Sequence, residues 1–74
     1  MKADWHMARD GSVAWKDWRV WEVSLHALDA KPTWDAYKLD TVNKYPIGAN
    51  PYMANFATCE EAMHWCETME AVGA

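Results

Sequence analysis

Glycine, proline and cysteine are all scarce in this 74-residue chain, at three, three and two residues. The glycines Gly11, Gly48 and Gly73 stand far apart, so no phosphate-cradling glycine loop exists, and no GxSxG nucleophile elbow either. The two cysteines, Cys59 and Cys66, are seven residues apart. On one helix that is roughly 10.5 Å of rise, whereas a disulfide needs Cα atoms closer than about 7 Å. They cannot bridge each other there, which removes the usual argument for secretion. Long apolar runs are missing too. The longest uncharged stretch, Tyr45 to Cys59, is broken by Pro46, Gly48, Asn50, Pro51 and Asn55 and is too short to span a bilayer. Met1-Lys2-Ala3-Asp4 leads into a polar, aromatic segment with no apolar h-region of a signal peptide. The expectation is a soluble, cytoplasmic protein.

Basic charge is absent from the last 30 residues. Residues 1–44 hold all seven Lys and Arg and seven of the eleven acids, and so cancel. Residues 45–74 hold only Glu60, Glu61, Glu67 and Glu70, which account for the formal charge of −4. Such a field repels a phosphate backbone and favours a basic protein surface. The bases are interleaved with acids (Lys16 beside Asp17, Arg19 near Glu22, Lys38 between Asp35 and Asp40). That pattern describes a solvated mixed surface rather than a nucleic-acid groove, although aromatic rings could in principle stack on bases.

Aromatic residues are what the chain has in abundance. Six are tryptophans: Trp5, Trp15, Trp18, Trp21, Trp34 and Trp65. A domain this small buries only about 60% of the surface its unfolded chain exposes, and each aromatic ring can hide roughly 150–250 Å². Most of the indoles are therefore expected in or beside the core, with one or two left as anchors for a partner.

The length suits a single domain spanning residues 1–74. Thr58 and Glu61 form a Thr-x-x-Glu capping box, and Cys59, Ala62, Met63, Cys66 and Met69 follow at helical spacing. A helix is predicted from Cys59 to Ala71, with Trp65 and Val72 widening its apolar stripe and Glu60, His64, Glu67 and Thr68 on the opposite face. Upstream, Trp21 to Ala27 alternates apolar and polar, the period of a strand with one buried face. A second strand is predicted through Tyr37, Leu39 and Thr41, after a loop at Asp29–Thr33. The competing possibility for residues 13–28 is a helix, because Trp15, Trp18, Trp21, Leu25 and Leu28 share a helical face. The strand accounts better for Val20 and Val23. Asp10-Gly11 signals a turn in an N-terminal hairpin, residues 43–51 an irregular loop, and Tyr52–Phe56 a last strand. The predicted fold is α+β: a small antiparallel sheet of three or four strands, covered on one face by the C-terminal helix.

No catalytic apparatus is visible. Cys59, His64 and Cys66 lie close in sequence, but on a helix His64 points away from both thiols, and no CxxC or HExxH spacing occurs. The cysteines read as small core hydrophobes, and no metal or other cofactor is expected. Ser12, Ser24, the thiols and the three histidines form no recognisable nucleophile–base pair, and a chain of this size has little material for a deep pocket. The expectation is a protein that is not an enzyme.

Two surfaces are candidate binding sites. One is the acidic helix face: Glu60, Glu61, His64, Glu67 and Glu70. Acids near the C-terminal end oppose the helix dipole, at a cost of a few tenths to about 1 kcal/mol. The face either keeps the protein soluble or docks a basic partner protein. The other is the loop carrying Tyr45, Ile47 and Tyr52, which either presents its rings or pins itself to the core with them. Small size, aromatic richness and a one-sided acidic helix together resemble, in type and not by any motif, the small inhibitors that phages and other mobile elements encode against host nucleic-acid machinery, anti-CRISPR proteins among them. The resemblance implies a protein partner with a basic surface, without direct nucleic-acid or membrane contact. The alternative is a structural or accessory subunit, acting as a homodimer or inside a larger assembly.

Overall fold

A computed structural model describes residues 3–24, 31–46 and 48–73. Five antiparallel strands lie in the order of the chain: β1 (His6–Met7), β2 (Val13–Trp15), β3 (Trp18–Val23), β4 (Thr33–Lys38) and β5 (Met53–Phe56). A helix, α1 (Cys59–Gly73), follows β5 and packs on β3, β4 and β5. The predicted α+β class and the covering helix are both present, but the sheet has five strands rather than three or four. The count rises because Trp15 pairs with Trp18 across a two-residue turn. That turn continues the N-terminal hairpin into the central one, making a single sheet.

Local chemistry explains the turns. Ala8 donates its N–H to the Ser12 carbonyl, and Gly11 donates to the Ala8 carbonyl. Gly11 sits at φ +92°, where a side chain would be strained. This is a three-residue hairpin loop closing on a left-handed glycine. Asp10 Oδ1 accepts from both the N–H and the hydroxyl of Ser12, at 3.0 and 2.6 Å. Those bonds favour the carboxylate and lower its pKa below the ordinary 3.8. The sign follows: this stabilisation is complete above 3.8 and disappears as acidification passes through the lowered value. At the next turn Lys16 adopts φ 52°, a conformation uncommon outside glycine, asparagine and aspartate.

Cross-strand register assigns the two faces of the sheet. Trp18, Val20, Ala36, Ala54 and Phe56 turn toward the helix, as do Val13, Trp15 and Trp34. Fully buried Trp18, Val20, Ala36, Ala62 and Cys66 form the centre. Alanine stands at three of the contact positions, Ala36 and Ala54 on the sheet and Ala62 on the helix, so the backbones can approach closely while indoles fill the periphery. Trp65 meets Trp18 edge-on at 5.6 Å and Phe56 at 5.7 Å. Trp5 and Trp15 form a second aromatic pair at 5.5 Å. Such pairs add about 0.5–1.5 kcal/mol beyond burial.

Several predicted details are corrected. The helical possibility for residues 13–28 is overturned, since Val13–Trp15 and Trp18–Val23 are strands. The period of two at Trp21–Val23 is right, but its apolar set lies on the face away from the helix. The helix-facing set is Trp18 and Val20, upstream in the opposite phase. The rest of that predicted strand, Leu25–Ala27, falls outside the described residues. The predicted strand through Tyr37, Leu39 and Thr41 ends at Lys38, and Leu39–Thr41 is a 3₁₀ turn. Thr41 closes that turn: its hydroxyl donates to the Lys38 carbonyl at 2.7 Å and accepts from Asn50 Nδ2 at 3.0 Å. The C-terminal helix begins where predicted and extends to Gly73.

Candidate protein-binding surface

The capping box places the acidic helix. Thr58 Oγ1 accepts from the Glu61 N–H at 3.2 Å and donates to the Glu61 carboxylate at 3.1 Å. One orphan amide of the first turn is thereby satisfied. Glu60 and Glu61 occupy that first turn, where the dipole favours negative charge. Both are exposed, as is His64 one turn on.

Glu67 and Glu70 are placed differently. Glu67 Oε2 accepts from Trp5 Nε1 at 3.1 Å, and Glu70 Oε1 accepts from Trp18 Nε1 at 3.0 Å. Both carboxylates are half-buried. Glu70 also lies 3.8 Å from Lys16 Nζ, an exposed pairing of little energetic weight. The five predicted helix residues therefore divide. Glu60, Glu61 and His64 face solvent together, whereas Glu67 and Glu70 tie the helix to indoles of the N-terminal half.

The helix has two flanks. Met63 and Glu67 look toward Trp5 and the β1 side, where they line a shallow recess with Ala3 and Asp4. Glu61, Trp65 and Thr68 look the other way, toward β5. Together with His64 and Phe56 they line a shallow, mainly apolar groove of about 400 Å³. This groove is a feature that residue-by-residue reading missed. The signal for it was Trp65 three positions from Thr68 and four from Glu61, the spacing of one helix flank.

The tyrosines also part company. Tyr45 is 40% exposed. Tyr52 is half-buried and rests against Trp18 at 6.3 Å, with Lys38 Nζ above both rings. Its N–H donates to Asn50 Oδ1 at 2.8 Å, which anchors the loop end. Ile47 lies outside the described residues. Of the six indoles, Trp18 is fully buried and the other five are half-buried. Trp21 is the one on the open face of the sheet, where its N–H donates to the Tyr37 hydroxyl.

The thiols are poor nucleophiles. Burial, reinforced by Glu67, pushes the Cys66 pKa up to about 12. Burial, with a smaller contribution from Glu60, raises that of Cys59. Among the described residues the cysteines are unbridged, and no three of His, Cys, Asp and Glu converge to hold a metal ion. Among the same residues no helix is long and apolar enough to cross a membrane. No protein-family model matches the chain, and the comparisons with curated proteins and with solved structures found no match.

Proposed function

We propose that this chain is a protein-binding module that acts without chemistry of its own, as an inhibitor that covers a basic, nucleic-acid-contacting surface of another protein. One observation carries the reading: Glu60, Glu61 and His64 stand exposed on the helix beside an apolar groove floored by Phe56 and Trp65. They do so in a stretch of 30 residues that contains no Lys or Arg. Acidic groups around an apolar patch supply both parts an interface needs, a core that excludes water and a rim that selects charge. In this reading the glutamates meet Lys or Arg side chains that would otherwise hold phosphate. Inhibitors of the kind phages direct against host defence, anti-CRISPR proteins included, would work in this way.

The test uses Glu60→Lys, which leaves every internal hydrogen bond of the helix in place. The partner is first captured from the producing cells on the wild-type protein. Association with that partner is then followed at low and high salt. Glu60→Lys should slow association several-fold at about 50 mM salt, and the difference should shrink near 0.5 M. Equal rates for the two proteins at low salt would reject the acidic surface. Competition with DNA or RNA for the captured partner tests inhibition itself: a partner that keeps its nucleic acid while bound to this chain would rule it out.

A further inference from the structure

The free edge of β5 runs directly below the β5 flank of the helix, and together they form a ledge. The register pairs Trp34 with Phe56 and Ala36 with Ala54, and the Lys38 N–H donates to the Tyr52 carbonyl at 3.1 Å. In an antiparallel ladder, bonded and non-bonded pairs alternate. Tyr52, Ala54 and Phe56 therefore direct their backbone groups at β4, and Met53 and Asn55 direct theirs outward. Among the described residues no neighbouring strand takes those outward groups, because β5 is the last strand of the sheet.

Exposed edges are ordinarily protected by Lys, Pro, a bulge or extreme shortness. At the other edge, β1 is only two residues long. β5 has none of these protections: Met53-Ala54-Asn55-Phe56 is uncharged, free of proline and paired in unbroken register. A strand added outside it would place every second side chain toward the helix, into the groove lined by Phe56, His64, Trp65 and Thr68. Glu61 lines that groove with Phe56, and Glu60 precedes it in the first turn of the helix. Near the other end, Lys38 is held over the Trp18 and Tyr52 rings.

We infer that the ledge binds an extended segment of a partner protein by β-strand addition, with an apolar residue in the groove and Lys or Arg at the end that meets Glu60 and Glu61. This deepens the protein-binding reading above and rests on it. Charge selects the occupant. A second copy would bring its own Glu60 and Glu61, from a C-terminal region without Lys or Arg, to the same seam. A basic segment neutralises that seam and takes its backbone bonds from Met53 and Asn55.

The probe is a blocked nonapeptide, Lys-Lys-Val-Thr-Val-Thr-Val-Lys-Lys, titrated into the isotope-labelled full chain and followed by amide and indole NMR. Three outcomes are expected. The shifts centre on the amides of Met53 and Asn55 and on the Trp65 indole. Methylating the peptide's backbone nitrogens along one edge abolishes them. Asn55→Pro, which removes an outward N–H while sparing the ladder to β4, weakens binding at least tenfold, whereas Asn55→Ala, which keeps that N–H, stays within threefold of the wild type. Amide spectra of both variants verify the fold.

Failure of the peptide to bind at millimolar concentration would overturn the inference. So would shifts confined to Glu60, Glu61 and His64, or Asn55→Pro binding as the wild type does. A dimer of the free protein, seen by sedimentation equilibrium and dissolved by Asn55→Pro, would assign the edge to a second copy and also refute it. Failure here leaves the charge-reversal test standing. An effect of Asn55→Pro without one of Glu60→Lys would keep the edge and discard the acidic surface.

Discussion

The two ends of the C-terminal helix carry the same residue type in opposite roles. Glu60 and Glu61 sit at the N-terminal end, exposed, where the dipole welcomes them. Glu67 and Glu70 sit toward the C-terminal end, half-buried, where it does not. The second pair persists because each carboxylate receives an indole N–H. A hydrogen bond to a charged group contributes about 1.5–3 kcal/mol, which exceeds the dipole penalty of up to about 1 kcal/mol. Counting glutamates on a helical wheel therefore doubles the apparent free acidic surface. A carboxylate that faces an indole from another element is a strut.

The sharpest way to break this comparison is Glu70→Ala. Trp18 is 1% exposed, so its N–H reaches water poorly when the acceptor is removed. The expected loss is about 1–3 kcal/mol, large against the roughly 4–11 kcal/mol typical of a domain this size. It should be read from the denaturant midpoint at unchanged slope. Glu70→Gln keeps a carbonyl acceptor and should recover a good part of that loss. Pairing Glu70→Ala with Trp18→Phe should give a coupling near 1 kcal/mol. Additive losses would mean that the bond contributes nothing and the two ends of the helix do not differ.

Glu67→Ala should cost less, about 0.5–1.5 kcal/mol. Its donor Trp5 is only half-buried, and water can replace the lost acceptor. The measurement is the same, and the ranking is what matters. A loss at Glu67 equal to that at Glu70 would show that burial of the indole does not set the strength of these struts.

The sequence made the helix legible because its signals are local. Thr58, Glu61 and the 59-62-63-66-69 spacing all lie within a few residues of one another, and Thr58 caps the helix as read, with the Glu61 carboxylate reaching back to its hydroxyl. The Asp10-Gly11 turn was legible for the same reason. What could not be read were facts fixed between distant residues. Trp5 and Glu67 are 62 positions apart and Trp18 and Glu70 are 52, so no spacing rule assigns the two acids to indoles. The face of β3 that meets the helix depends on Ala36, Ala54 and Ala62 making room, which alternation within β3 cannot reveal. Leu39 and Thr41 continued the alternation of β4, but Thr41 turns its hydroxyl back to the Lys38 carbonyl and ends the strand. Of the candidate site, the exposed acids were legible. The groove was not, because Phe56 and Trp65 meet only once the helix folds back over its own preceding strand.

The smallest effect on stability is expected at Glu60, and there the comparison can be read through a neighbouring thiol. Glu60→Gln removes a charge that the dipole favours, but no hydrogen bond, so the midpoint should move by only a few tenths of a kcal/mol. Its negative charge is also the lesser of two causes that raise the Cys59 pKa, behind burial. Neutralising it lowers that pKa, so more thiolate is present at pH 8 and alkylation of Cys59 should be faster than in the wild type. Burial is untouched, so the thiol should remain less reactive than a free cysteine. Cys66, at about 12 and fully buried, should stay unlabelled in both proteins until they unfold. Mass spectrometry of timed samples separates the two sites. If Glu60→Gln left the rate at Cys59 unchanged, Glu60 would not be near enough to act on its own neighbour, and a field from this end of the helix strong enough to steer a partner could not be sustained.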